Sequence, residues 1–151
     1  MSVMAAGDLP DVNLWLALSA DHHIHHLQAQ SYWKTHARSR IWFCRHTALG
    51  LKRLLGQSSV MGAQVQAAAQ CWTSWQTLMR LKGVGMVPEP ATVDAQLAAL
   101  TEKASWPGKM WSDAYLAAFA IAGNLRLVSF DRDFSRFPGL DWLHLTAEVS
   151  A

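Results

Sequence analysis

Three aspartates stand where an α/β chain concentrates its chemistry. Asp11 follows a short apolar stretch near the front, Asp131 follows the run Leu125-Arg126-Leu127-Val128-Ser129, and Asp113 stands at the start of an apolar helical stretch. In open α/β sheets, ligands gather at the carboxyl ends of the strands. A helix start also welcomes an anion through its free N–H groups and its dipole. Three carboxylates brought within a few ångströms repel one another unless a proton or a cation intervenes. Oxygen-only ligation with room for water favours magnesium or manganese over zinc. Asp11, Asp113 and Asp131 are therefore candidate ligands of a divalent ion. Each also has a plainer reading, as the cap of a helix or the corner of a turn.

The elements that must position these acids alternate between two periods. Leu9-Pro10 reads as a strand end that turns at Asp11 into an apolar helix. Near-helical spacing of Leu27, Ala29, Tyr32 and Trp33 predicts a helix over 24–37. Ile41-Trp42-Phe43-Cys44 is short, β-rich and flanked by arginines, as a buried strand would be. Thr47 then opens a helix that Gly56 closes. A long helix is expected over 63–80, a brief strand at 84–87 and a helix over 92–103. Trp106-Pro107-Gly108 breaks the chain before a helix over 112–122, and strands follow at 125–129 and 141–145. Strands alternating with helices imply a mainly parallel sheet covered on both faces.

Composition bounds the rest. The 151 residues suit one domain, and 51% apolar against 16% charged residues excludes disorder. No apolar run is long enough to span a bilayer, and Met1 to Asp8 lacks the basic and apolar regions of a secretion signal. Cys44 and Cys71 are too few for a disulfide framework, so a cytoplasmic location is expected. A net charge of +2 is too mild for gripping nucleic acid by electrostatics alone. Any anion must be held locally, by a metal or a few placed cations. Eight tryptophans are more than so small a core hides easily, so some are expected at a partner interface.

Three blocks carry a family likeness: Pro10-Asp11-Val12-Asn13, Ser112-Asp113-Ala114-Tyr115-Leu116-Ala117-Ala118, and Val128-Ser129-Phe130-Asp131-Arg132-Asp133-Phe134. In order and spacing the chain resembles the PIN domains, and within them the VapC-like toxins of bacterial toxin–antitoxin pairs. The resemblance covers nearly the whole chain, 1–151, as a single domain. It implies a Rossmann-like three-layer α/β/α sandwich with a central, mainly parallel sheet. It also implies an endoribonuclease dependent on Mg2+, with Mn2+ as the other candidate, that leaves 3′-hydroxyl and 5′-phosphate ends. The expected partners are an RNA substrate, a cognate antitoxin protein and a second copy in a homodimer, with no membrane. Carried over by position, Asp11, Asp113 and Asp131 are the metal-binding catalytic acids. Asn13, Ser129 and Asp133 are supporting residues that orient ligands or water.

One position departs from the family. The usual T-x-x-E helix start is Thr47-Ala48-Leu49-Gly50 here, so Gly50 replaces an acid. A degenerate PIN domain that binds RNA or a protein partner without cutting is therefore the alternative reading. A phosphatase of the haloacid dehalogenase type needs a second Asp two residues after the first, where this chain has Asn13. Among Arg45, Lys52, Arg53, Lys109, Arg132 and Arg136, Arg132 is the leading candidate for RNA contact because it lies between two site acids. His22 and His26 share a helical face in this reading but lack a third ligand, so a polar helix start is expected. Cys44 reads as a buried structural thiol, and Trp72, Trp75 and Met79 as core.

Overall fold

The computed structural model describes residues 6–102, 105, 108 and 110–146. Its five strands are β1 (Asp8–Pro10), β2 (Ile41–Phe43), β3 (Val84–Met86), β4 (Arg126–Ser129) and β5 (Trp142–His144). They form one sheet in the order β3-β2-β1-β4-β5, and every pairing is parallel. Connections leave β1 towards β2 on one side, and the chain returns to β4 on the other. The carboxyl ends of β1 and β4 thus flank the switch point of the sheet, where such folds open a crevice.

Seven helices are described: α1 (Val12–Ser19), α2 (His26–Thr35), α3 (Arg45–Leu55), α4 (Ser58–Met61), α5 (Ala68–Met79), α6 (Val93–Thr101) and α7 (Met110–Gly123). Alternation along the strands sorts the core into two layers. Leu9 and Leu127 pack with Ala114, Ala117 and Phe119 of α7 on one face. Ile41 and Phe43 pack with Trp15, Leu51 and Leu55 on the other, while Trp42 between them joins the first face. Trp15 and Phe43 stack with ring centroids 3.8 Å apart. The expected sandwich with helices on both faces is the observed one.

At the amino ends of the strands lies a fully buried acid that the sequence reading passed over. Asp8 receives two hydrogen bonds from the Arg126 guanidinium, at 2.8 and 2.9 Å, and one from the Arg38 backbone N–H at 3.1 Å. The Tyr32 hydroxyl donates a fourth. Arg126 also donates to the His36 carbonyl, so one charge pair ties β1, β4 and the end of α2 together. A bidentate, fully hydrogen-bonded pair is the form in which a buried charge is tolerable.

Several boundaries moved for identifiable reasons. The helix expected from Thr47 begins at Arg45: Cys44 is its N-cap, and Thr47 sits inside the first turn with its hydroxyl accepting from the Cys44 N–H at 3.0 Å. Helix α2 starts at His26, so His22 and His26 share no helical face. The imidazole of His26 instead reaches the Ala17 carbonyl, and the His25 ring stacks 4.7 Å from Phe130. The long helix begins at Ala68 instead of 63: Gly62–Gln64 form a 3-10 turn, and the chain is extended at Ala67, the N-cap. Helix α7 starts at Met110, two residues before the expected Ser112. Trp72 is 51% exposed and does not belong to the core as expected, whereas Trp75 packs against it. Cys44 is buried as expected, and burial pushes its thiol pKa up. Lys103, Trp106, Pro107 and Lys109 lie outside the described residues.

Candidate metal centre

Asp11 stands just beyond β1 and caps α1. Its Oδ1 accepts from the Asn13 N–H at 2.8 Å and the Leu14 N–H at 3.3 Å, which satisfies the open end of the helix. Its Oδ2 accepts from the Ser129 hydroxyl at 2.5 Å, across to the neighbouring strand β4. Ser129 in turn accepts from the Asp131 N–H at 2.9 Å. Asp131 caps the 3-10 turn Arg132–Arg136 by accepting from the Asp133 N–H at 2.9 Å. The plainer reading of these two acids as caps is thus correct, and it is also what fixes their carboxylates at the strand ends. A carboxylate oxygen has two acceptor sites, so capping does not exhaust either acid.

Asp113 is different. It lies in the first turn of α7 and is half-buried. Among the described residues, no hydrogen bond or ion pair holds its carboxylate. Its pKa is pushed up to about 6, first by burial and then by the charges of Asp131, Asp11 and Asp133, with Arg136 pulling the other way. Asp11 is also raised, chiefly by burial, against the lowering hydrogen bonds from Ser129, Leu14 and Asn13; Asp131 adds to the rise. The acids share one electrostatic site that is short of positive charge.

Asp11, Asn13 and Asp113 line one cleft of about 380 Å³, together with His46, Gly50, Arg53 and Ser112. Asp131 and Asp133 stand at the end of β4 and are joined to that cleft through Ser129 and through their charge. Arg132 is exposed in the turn after Asp131. Arg136 is the cation that the Asp113 carboxyl feels, and it also pairs with Asp133 at 3.5 Å. His46 was missed by the sequence reading, although it follows the carboxyl end of β2 and the strand-end rule would have found it. Burial and the nearby Arg53 lower its pKa, which favours the neutral ring.

Gly50 lines the same cleft, and a Cβ added to it would meet Val12 Cγ2 at 2.7 Å. The missing side chain is what lets α3 lie against the start of α1.

A divalent cation fits this donor set. The donors are oxygens, one acid is half-buried without a partner, and its neighbours are acids of the same charge. Among the described residues, no three His, Cys, Asp or Glu side chains are already arranged to hold an ion. Magnesium does not require such a cage: it keeps several waters and takes only one or two carboxylates directly.

The PIN domain family pattern matches residues 9–140. Ribonuclease VapC41 of Mycobacterium tuberculosis is 34% identical over 138 residues, covering 88% of this chain and 94% of that protein. VapBC2 from Rickettsia felis, solved with a DNA fragment from its promoter, aligns with a TM-score of 0.63 at 14% identity, over 91% of this chain and 97% of that one. VapC20 of Mycobacterium tuberculosis, a toxin that cleaves the sarcin–ricin loop, aligns with a TM-score of 0.62 at 15% identity, over 88% and 98%. These two structures share the fold of this chain.

Proposed function

This chain belongs to the PIN domain family, and from that premise we propose that it is a metal-dependent endoribonuclease, the toxin of a toxin–antitoxin pair. The observation that carries the reading is Asp113: a half-buried carboxylate without a partner among the described residues, lining an open cleft with Asp11 and raised in pKa by the charges of Asp131 and Asp11. The reading treats 1–151 as one domain. Asp11, Asp113 and Asp131 hold Mg2+, or Mn2+ in its place. When bound, the ion supplies positive charge to the scissile phosphate and makes a water more acidic.

The residues of the chain do the placing. Ser129 and the N–H groups of Asn13 and Leu14 lock the Asp11 carboxylate, and Asp133 locks Asp131 through its N–H. Asn13 lines the cleft mouth and orients water there. Arg132 contacts the RNA backbone, and Arg53 within the cleft adds a second cation. The partners are an antitoxin that covers the cleft and a second copy in a homodimer. Support for a covering protein comes from Leu49, which lines the cleft at 58% exposure, and from Trp111, two residues before Asp113 on α7, at 57%. Among the described residues, no helix is long and apolar enough to cross a membrane.

Growth tests the reading. Expressing this chain alone should arrest cells, and Asp11→Asn should relieve the arrest. Unchanged arrest by a folded Asp11→Asn protein would sink it. Gly50 in place of the acid is the observation behind the second reading, a PIN domain that binds without cutting.

A further inference from the structure

A second hollow lies beside the acid cleft, over the carboxyl ends of β2 and β3. It holds about 420 Å³ and is lined by Arg45, Met86, Glu89, Tyr115 and Phe119 among others. That volume falls within the range of small-molecule sites. Met86 and Phe119 make part of the wall apolar, and Arg45 and Glu89 bring opposite charges to it. The Tyr115 hydroxyl donates to Glu89 Oε2, so this surface carboxylate is anchored. His46 joins the two hollows: it lines the acid cleft, and its ring centroid stands 5.5 Å from that of Tyr115. Tyr115 is two residues beyond Asp113 on α7, so one helix serves both hollows.

We propose that this second hollow receives the base of a nucleotide next to the scissile phosphate, and that the base is guanine. The proposal rests on the ribonuclease reading. RNA specificity is usually read from unstacked bases, through aromatic side chains and hydrogen bonds to the Watson–Crick edge. Tyr115 supplies the aromatic surface, with Met86 and the buried Phe119 behind it and His46 as its aromatic neighbour on the side of the acid cleft. Guanine presents two adjacent donors, N1–H and N2–H, beside the acceptor O6. An anchored carboxylate accepts from the two donors, and a guanidinium in the same hollow donates to the acceptor. Uracil presents carbonyl acceptors on both sides of one N–H and is repelled by Glu89. The location agrees with the sheet, because the acids lie over β1 and β4 while this hollow lies one and two strands further along.

A pool of random-sequence RNA, cut by the purified chain with Mn2+ and sequenced at the new 5′ ends, tests this. The expected result is guanine enriched at one fixed position within two nucleotides of the cut. Glu89→Gln should reduce that enrichment by about ten-fold or more while the pool is still cut. Glu89 is exposed, so the variant should keep the wild-type melting temperature. As a readout independent of cleavage, the Asp113→Asn protein should bind a short guanine-containing RNA several-fold more tightly than its uracil counterpart. Adding Glu89→Gln should erase that difference. Cleavage without a guanine preference, or a preference unmoved by Glu89→Gln, overturns the base site and leaves the ribonuclease reading standing. No cleavage of any RNA overturns both. Guanine preference abolished only by changes outside this hollow would place the base elsewhere.

Discussion

Ser129 on β4 reaches across the switch point of the sheet to hold Asp11 just beyond β1, its hydroxyl 2.5 Å from Asp11 Oδ2. The same oxygen accepts from the Asp131 N–H, so one buried hydroxyl sets the spacing of two site acids. Ser129→Ala removes both contacts at once. Each lost hydrogen bond at a buried group costs about 1 to 3 kcal/mol, which a folded domain survives. Metal affinity should fall by about ten-fold or more, the usual effect of losing a group that orients a ligand. Calorimetric titration with Mn2+ measures this. An unchanged affinity would mean that Asp11 does not need Ser129 to face an ion.

Asp113→Asn should separate stability from metal binding. With its pKa raised from 3.8 to about 6, the ionised carboxyl is disfavoured in the folded chain. Its contribution therefore weakens the fold as pH rises through this interval, and it is unfavourable at neutral pH. Taken at face value the shift corresponds to about 3 kcal/mol, and solvent screening of a half-buried group reduces that to about 1 kcal/mol. In EDTA the variant should melt at or above the wild-type temperature. Millimolar Mn2+ should raise the wild-type melting temperature and leave the variant unmoved. A variant that melts well below wild type in EDTA would show that Asp113 has a structural partner.

The buried pair at the other end of the sheet behaves oppositely. Asp8→Asn strips the charge that Arg126 is paired with, and breaking a buried pair this way costs about 3 to 5 kcal/mol. Tyr32→Phe removes one donor only and should cost about 1 kcal/mol. Denaturant unfolding reads both. If Asp8→Asn leaves the midpoint in place, the pair carries no net stability. Tyr32→Phe should cut RNA at the wild-type rate, because the pair lies at the amino ends of the strands.

Gly50 is a packing residue first. Replacing Gly by Ala inside a helix gains about 1 kcal/mol of propensity. Here the new Cβ would stand 2.7 Å from a methyl of Val12, a stiff β-branched side chain, so backbone must move. Overpacking of this kind costs about 1 to 3 kcal/mol, and Gly50→Ala should be destabilising overall. Val12→Ala in the same chain should restore the propensity gain, read as a non-additive double-mutant cycle. Additive effects would place the two residues out of contact. Gly50→Glu should also destabilise, and so cannot simply restore an acid to the cleft.

What could be read from the residues followed their periodicity. The apolar run 125–129 and the β-rich Ile41-Trp42-Phe43 announced strands, and the alternation with helices announced a covered parallel sheet. The placement of Asp11 and Asp131 just beyond strand ends was legible because each follows a short apolar run. What escaped was tertiary. Asp8 sits inside an apolar stretch with no local sign of its partners, which lie 24 to 118 residues away. His46 was obscured because the helix start was placed at Thr47, beyond it. The fate of Trp72 was obscured for a different reason: Trp72 and Trp75 stand three residues apart on α5 and share the Lys52 ammonium of α3, 4.2 and 4.1 Å from their rings, while Trp75 also packs against Phe43.

Cleavage of structured RNA by the purified chain, freed of any partner, tests the central claim most directly. With Mg2+ or Mn2+ the wild type should produce discrete fragments with 5′-phosphate ends. EDTA or Asp113→Asn should abolish them while the protein stays folded. Equal cleavage by Asp113→Asn, or cleavage that persists in EDTA, would contradict a metal held by Asp11, Asp113 and Asp131. An intact, metal-loaded wild type that leaves every RNA whole would replace the nuclease with a domain that binds without cutting.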